Sequence, residues 1–300
     1  MSLTIKGRPI RLSFAWLKPP KAPADGSMSL FEHIAELRYR LVMAALAIIA
    51  GTVLAWFFRD FLTDVIFRPY QAAADALRAR NPEAQITLVN NGVASPFTLA
   101  LKVSALAGLL LTAPVWLYQL WAFIVPGLLS REKKWTLIFL AASTPLFLSG
   151  VAVGYYVLPK GIIVLLGFTE NGVANLQDVN QFLSFLMRFM LVFGVAFLIP
   201  LIVLMLNIIG VLKAKYLAKY RTLVIFGTFV FGAVATPSTD PFSMLALALP
   251  MTVLFLAAEV VAHILDRRKA KRGDLALTSS GLEHDRALRE LSTDEPPEER

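Results

Sequence analysis

Apolar and polar positions along the chain fall into long apolar runs separated by short polar segments. Six runs stand out: Leu41 to Phe58, Val103 to Ser130, Trp135 to Lys160 (charge-free as far as Pro159), Phe189 to Leu212, Thr222 to Thr239 and Pro241 to Ala258. The hydrocarbon core of a bilayer is about 30 Å thick, and crossing it takes about 20 helical residues. Four of the runs meet or approach that length. The fifth is different, because its strictly apolar part, Leu223 to Ala235, rises only about 20 Å as a helix. The sixth is also short. Between them lies Ala235-Thr236-Pro237-Ser238-Thr239-Asp240-Pro241, a tight breaker, so the pair reads as a helical hairpin. A hairpin of this length thins the bilayer around it or tucks behind its neighbours.

Ahead of the first run, Ser29-Leu30-Phe31-Glu32 has the form of a capping box, with Ser29 as the cap and Glu32 reaching back. Leu30, Phe31, Ile34, Leu37 and Leu41 then recur at helical spacing. The pattern predicts an amphipathic helix over 29–40, lying at the interface and running into the first span. Its polar face carries Glu36, Arg38 and Arg40, with Glu36 and Arg40 at the i,i+4 spacing of a helical ion pair.

Composition turns these runs into a class. The 300 residues are 57% hydrophobic and 17% charged, with a mean hydropathy of +0.64. Soluble domains are about half apolar and a quarter charged. The chain is therefore an all-α integral membrane protein with six transmembrane helices. Its net charge of +8 would suit nucleic acid. The cations, however, sit in short clusters between apolar runs, which excludes a nucleic-acid partner.

Those clusters orient the chain. Arg38 and Arg40 precede the first span, and Arg131, Lys133 and Lys134 lie in the second loop. Lys213, Lys215, Lys219 and Arg221 lie in the fourth, and Arg267, Arg268, Lys269, Lys271 and Arg272 follow the last span. The third loop holds only Lys160 and the fifth none. The first loop offsets Arg59, Arg68, Arg78 and Arg80 with Asp60, Asp64, Asp75 and Glu83. Positive charge stays inside, so both termini are expected in the cytoplasm. The organisation expected is a basic extension over 1–28, the interfacial helix over 29–40, the membrane domain over 41–265 and a cytoplasmic, disordered tail over 266–300. The extension lacks the apolar core of a secretory signal. Met28-Ser29-Leu30 repeats Met1-Ser2-Leu3, which makes Met28 an alternative start.

Enzyme chemistry finds no foothold. There is no Cys, and His33, His263 and His284 are far apart, so neither a metal site nor a cofactor is expected. Glu32-His33-Ile34-Ala35-Glu36 lacks the spacing of a zinc-protease helix, and there is no phosphate-binding loop. The acids near span ends at the basic face are Glu36 and Glu132, with Glu259 and Asp266 by the last span. An acid kept where positive charge is favoured suits a cationic ligand. The bland alternatives are a pair with Arg40 for Glu36 and local neutralisation of Arg131 and Lys133 for Glu132. Lys102, Arg188 and Glu259 lie close to span ends and are expected to snorkel. A six-helix carrier of small solutes or ions is the competing class, although carriers place ionisable groups mid-span among broken helices.

Several motifs resemble one family. His33-Ile34-Ala35-Glu36-Leu37-Arg38-Tyr39-Arg40, Ala94-Ser95-Pro96-Phe97 with Leu101-Lys102, and Pro114-Val115-Trp116-Leu117-Tyr118-Gln119-Leu120-Trp121-Ala122-Phe123-Ile124-Val125-Pro126-Gly127-Leu128 followed by Arg131-Glu132-Lys133 are similar to stretches of TatC, the core membrane subunit of the twin-arginine protein translocase. So are Phe193-Gly194-Val195-Ala196-Phe197 and Thr236-Pro237-Ser238-Thr239-Asp240-Pro241-Phe242-Ser243, and the resemblance covers about residues 29 to 265. It implies a glove-like concave bundle in the bacterial cytoplasmic membrane. It also implies a receptor for the twin-arginine signal peptides of folded proteins, working with the single-span partners TatA and TatB under the proton-motive force. Homo-oligomers within that hetero-complex are implied as well. The family's two signal-binding glutamates fall on Glu36 and Glu132, with Arg38, Phe123 and Pro126 in the same site. A third acid, facing the cavity, falls on Glu170 or its rival Asp178, with Arg188 as a partner for either and Asp240 among the cavity's polar groups. Met244 departs from the pattern, since many members carry Gln there.

Overall fold

The computed structural model describes residues 4–5, 8–9, 30–80, 86–124, 133–168, 175–236 and 241–293, with the backbone alone at 4–5, 8–9, 30, 80, 133–136, 209 and 269–293. Nearly every described residue is helical. The elements in chain order are a short antiparallel hairpin of β1 (Thr4–Ile5) and β2 (Arg8–Pro9), then α1 (Leu30–Trp56), α2 (Arg59–Arg80), β3 (Ile86–Val89), α3 (Ser95–Leu111) and α4 (Ala113–Ile124). They continue with α5 (Lys133–Leu166), β4 (Asn175–Asp178), α6 (Val179–Ile209), α7 (Ala214–Lys219), α8 (Arg221–Ala235) and α9 (Pro241–Thr293). Ser29 of the expected capping box lies outside the described residues.

Four helical stretches are long and apolar enough to cross a membrane: Phe31–Trp56, Leu137–Leu166, Val179–Ile208 and Pro241–Arg268, so the sixth span, expected to be short, is not, because Glu259 ended its charge-free run but not its helix. The expected second span is two helices, α3 and α4, bent by 58° at Thr112, and together they make a fifth. Pro114 explains the break. It has no N–H for the carbonyl four residues back, and its ring crowds that carbonyl. The last turn of α3 is completed from the side instead, where Trp116 Nε1 donates to Leu109 O at 3.0 Å. The 15 residues of α8 rise about 22 Å, well short of a hydrocarbon core.

Several charge-free runs understate their helices, because a single charge ended the run but not the helix. Thus α3 begins before Lys102 and α6 ten residues before Phe189. The first loop contains a helix that the charge pattern did not single out, α2, whose Ile66, Phe67, Tyr70, Ala73 and Ala74 are buried. At the far end α9 continues to Thr293, through residues whose composition predicted a disordered tail. Leu, Ala, Arg and Glu dominate 282–291 and the next proline is Pro296, so helix formers outnumber the breakers Gly273 and Thr278-Ser279-Ser280-Gly281.

The core centres on α6, whose Leu183, Leu186, Phe189, Phe193 and Ala196 are fully enclosed. Around it stand α3, α5 and α9, while α1 is peripheral and leaves Leu41, Leu46, Ile49 and Val53 uncovered, as a lipid-facing helix does. α1 and α3 cross at Gly51 and Gly108, where the backbones touch. A Cβ on Gly108 would lie 2.3 Å from Thr52 N.

The two ends of the bundle are fastened differently. At one, β3 and β4 pair in parallel, Ile86 with Asn175 through Val89 with Asp178. Nearby Tyr155 Oη donates to Val65 O at 2.6 Å, and Asn180 Nδ2 donates to Ser95 O at 3.1 Å. At the other end, Asp266 of α9 accepts from Ala214 N at 2.9 Å and from Asn207 Nδ2 at 3.2 Å, which fixes the start of α7.

Candidate functional site

The amphipathic start of α1 packs beside the last described turn of α4. His33 stacks on Phe123 with ring centroids 4.4 Å apart and planes 15° from parallel. One helical turn on, Glu36 is only 6% exposed. Its carboxylate is occupied: Arg40 Nε donates to Oε1 at 2.9 Å, and Nη2 donates to the same oxygen at 2.5 Å. The second oxygen, Oε2, lies 3.9 Å from His33 Nδ1. The i,i+4 pair anticipated from spacing is therefore made. Because it is buried, the few tenths of a kcal/mol of an exposed helical pair do not describe it.

Arg40 also stands at the mouth of an apolar cavity of about 400 Å³. Its walls come from α1, α3, α4, α5 and α6, with Ile48, Trp116, Phe123 and Phe147 among the large apolar side chains. Gln119 is its one uncharged polar side chain among the described residues. Trp116, Gln119 and Phe123 recur at helical spacing on α4, a stripe that sequence inspection could have isolated but did not. The site thus combines a buried carboxylate, a guanidinium seated on it and an apolar trough leading away.

The remaining expected site residues divide. Phe123 is in the site, and Arg38 is exposed two residues after Glu36, a spacing that puts the two side chains on different faces of α1. Pro126, Glu132, Glu170 and Asp240 lie outside the described residues. Asp178 caps α6, accepting from Gln181 N at 2.9 Å. Arg188 is exposed on the same helix. It lies ten residues, or about 15 Å of rise, from Asp178, so the anticipated pairing of these two is out of reach.

Two of the three residues expected to snorkel do otherwise. Lys102 Nζ donates to Ser184 Oγ at 2.9 Å and to Asn180 O at 3.3 Å, which binds α3 to the start of α6. Glu259 is 3% exposed and grips Arg221 across the helices, with Nε to Oε2 at 3.0 Å and Nη2 to Oε1 at 2.5 Å. A neutral rung, Thr228 Oγ1 to Thr252 Oγ1 at 3.0 Å, continues this seam between α8 and α9. Among the described residues no three His, Asp or Glu side chains converge as metal ligands.

Comparison with known proteins bears on this arrangement. Residues 32–250 match the family model described as Sec-independent protein translocase protein (TatC). A Sec-independent protein translocase protein TatC from Frankia casuarinae is 41% identical over 257 residues, covering 83% of this chain and 70% of that protein. One from Aquifex aeolicus is 31% identical, covering 81% of this chain and 98% of the relative. A crystal structure of the twin-arginine translocase receptor TatC in detergent superposes with a TM-score of 0.62 at 30% identity, over 77% of this chain and 99% of the other.

Proposed function

Because this chain belongs to the TatC family of Sec-independent protein translocase proteins, and is thus a multi-pass membrane subunit of that pathway, we propose that it is the receptor for twin-arginine signal peptides of folded proteins. The observation that carries the reading is Glu36, a buried carboxylate already engaged with a guanidinium at the mouth of an apolar cavity. Guanidinium is a planar fork that matches a carboxylate, whereas an ammonium is a point charge that does not. Glu132 supplies the second carboxylate, so that two arginines are met by two acids. Arg38 and Pro126 contribute to binding, and the apolar stretch of the peptide follows the cavity past Phe123.

In this reading the chain crosses the bacterial cytoplasmic membrane six times, by α1, the bent α3–α4 pair, α5, α6, α8 and α9. Both termini and the Glu36 end face the cytoplasm, in accord with the distribution of Lys and Arg. The opposite end, with the β3–β4 pair, faces outward. Peptide binding nucleates assembly with TatA- and TatB-type partners, and the proton-motive force drives transport.

The test uses the full-length protein in detergent micelles and two labelled synthetic peptides that differ only in Arg-Arg against Lys-Lys. The arginine peptide should be retained, and Glu36→Ala and Glu132→Ala should each abolish most of that retention. Binding indifferent to both substitutions would overturn the receptor reading.

A further inference from the structure

Two cations of the membrane domain have no acid to answer them. Lys102 of α3 and Arg188 of α6 enter no ion pair among the described residues. Lys102 Nζ donates to two neutral oxygens, Ser184 Oγ at 2.9 Å and Asn180 O at 3.3 Å, and an ammonium has a third N–H to give. Arg188 is exposed four residues beyond Ser184, a spacing that keeps it on the side of α6 that Lys102 touches. We infer that Lys102 and Arg188 together bind the phosphate of an acidic phospholipid, with an acyl chain of that lipid lying in the apolar cavity already described.

Depth and direction select a headgroup. Residues 189–209 of α6 rise about 31 Å, enough by themselves to cross a hydrocarbon core of about 30 Å. Arg188 therefore stands at the margin of that core on the β3–β4 side. Helical side chains lean towards the N-terminus of their helix, and both α3 and α6 begin at the β3–β4 end. Each long cationic side chain thus reaches out of the hydrocarbon, to the level where lipid phosphates lie. A guanidinium offers phosphate a planar fork, and the neighbouring ammonium adds a point charge. Asp178, which caps the same helix, does not fill the site. Its carboxylate accepts from Gln181 N, and it lies six residues before Ser184, about 120° round the helix.

The cavity makes a lipid the source rather than a free anion. Leu109 lies two turns along α3 from Lys102, and Val195 lies two turns along α6 from Arg188; both line the cavity of about 400 Å³. Leu191, a single turn from Arg188, lines it as well. The cations thus stand at the head of an apolar trough that starts one turn deeper, an arrangement suited to a charged headgroup with a hydrocarbon tail. Inorganic phosphate would use the head and not the trough.

The experiment titrates the full-length protein in neutral detergent with phosphatidylglycerol or phosphatidylcholine, and counts bound lipid by native mass spectrometry. Wild type should prefer phosphatidylglycerol by about tenfold, the equilibrium equivalent of one charge-assisted hydrogen bond. Arg188→Gln, at an exposed position, should remove most of that preference, and Lys102→Gln should reduce it. Lys215→Gln removes an exposed cation elsewhere and should leave it intact. Phosphatidylglycerol with six-carbon chains, too short to fill the trough, should bind more weakly than the long-chain lipid. A preference that survives Arg188→Gln, or that falls equally with Lys215→Gln, would reveal only general attraction to a basic protein and sink the site. Displacement of the long-chain lipid by inorganic phosphate at constant ionic strength would reveal an anion site without a lipid, and overturn the inference too. So would a wild type indifferent to headgroup charge. No arm of the experiment involves a signal peptide, so the receptor reading stands or falls separately.

Discussion

Gly108→Ala tests the packing that positions α1, and with it Glu36. The added methyl would sit 2.3 Å from Thr52 N and 2.6 Å from Thr52 Cα, both backbone atoms that cannot rotate away. Ordinary contact begins at 3.4 Å, so the shortfall is 1.1 Å and the two helices must part by about that distance. Overpacking against such an obstacle costs about 3 kcal/mol, the upper part of the usual range. Alanine's better helix propensity returns about 1 kcal/mol, leaving a net loss of about 2 kcal/mol. Gly227→Ala provides the control: it is exposed on α8, and nothing lies within 4 Å of the new methyl. That variant should be neutral or more stable by up to about 1 kcal/mol. Unfolding in mixed micelles, followed by circular dichroism, reads both. A Gly108→Ala protein as stable as wild type would refute the contact between α1 and α3 on which the placement of Glu36 depends.

Two further perturbations follow from particular contacts. The Arg221–Glu259 pair is lopsided, with Arg221 half-exposed and Glu259 enclosed, so the two deletions should not be equal. Arg221→Ala strands a carboxylate in the interior and should lower the melting temperature clearly more than Glu259→Ala, which frees a guanidinium to turn into water; equal losses would contradict the burial described. At the opposite end, burial raises the Tyr70 phenol above its ordinary value of 10, with the positive charge of Arg78 pulling the other way. The folded protein therefore holds that proton more tightly than the unfolded chain, and stability should fall as pH rises past 10. Tyr70→Phe should flatten that alkaline loss; an unaltered profile in denaturant titrations would rule the phenol out as its source.

What the sequence disclosed depended on how local the signal was. Long apolar runs are local, and they located most of the spanning helices. The Glu36–Arg40 pair is equally local, four residues on one helix. Glu259 was misjudged because its partner is 38 residues away, and nothing near Glu259 points to α8. The break at Thr112 was hidden because Pro114 is itself apolar and left the run unbroken. The helix α2 was hidden by its charges. Yet Ile66, Phe67, Tyr70, Ala73, Ala74 and Leu77 follow a 3.6-residue period that a moment analysis of the first loop would have shown. Of the paired strands, β3 carries a local signal, Ile86-Thr87-Leu88-Val89 ahead of Asn90-Asn91-Gly92, but β4 carries none, and its mate is 89 positions away in register.

That pairing has a consequence for biogenesis. When β3 leaves the ribosome its mate has yet to be made, and α3, α4 and α5 must be synthesised and seated before Asn175 can reach Ile86. The β3–β4 pair therefore forms only after those helices have been made. A nascent chain halted ahead of residue 175 would hold those helices with β3's hydrogen-bonding edge bare, a state that quality-control proteases or a neighbouring strand could seize.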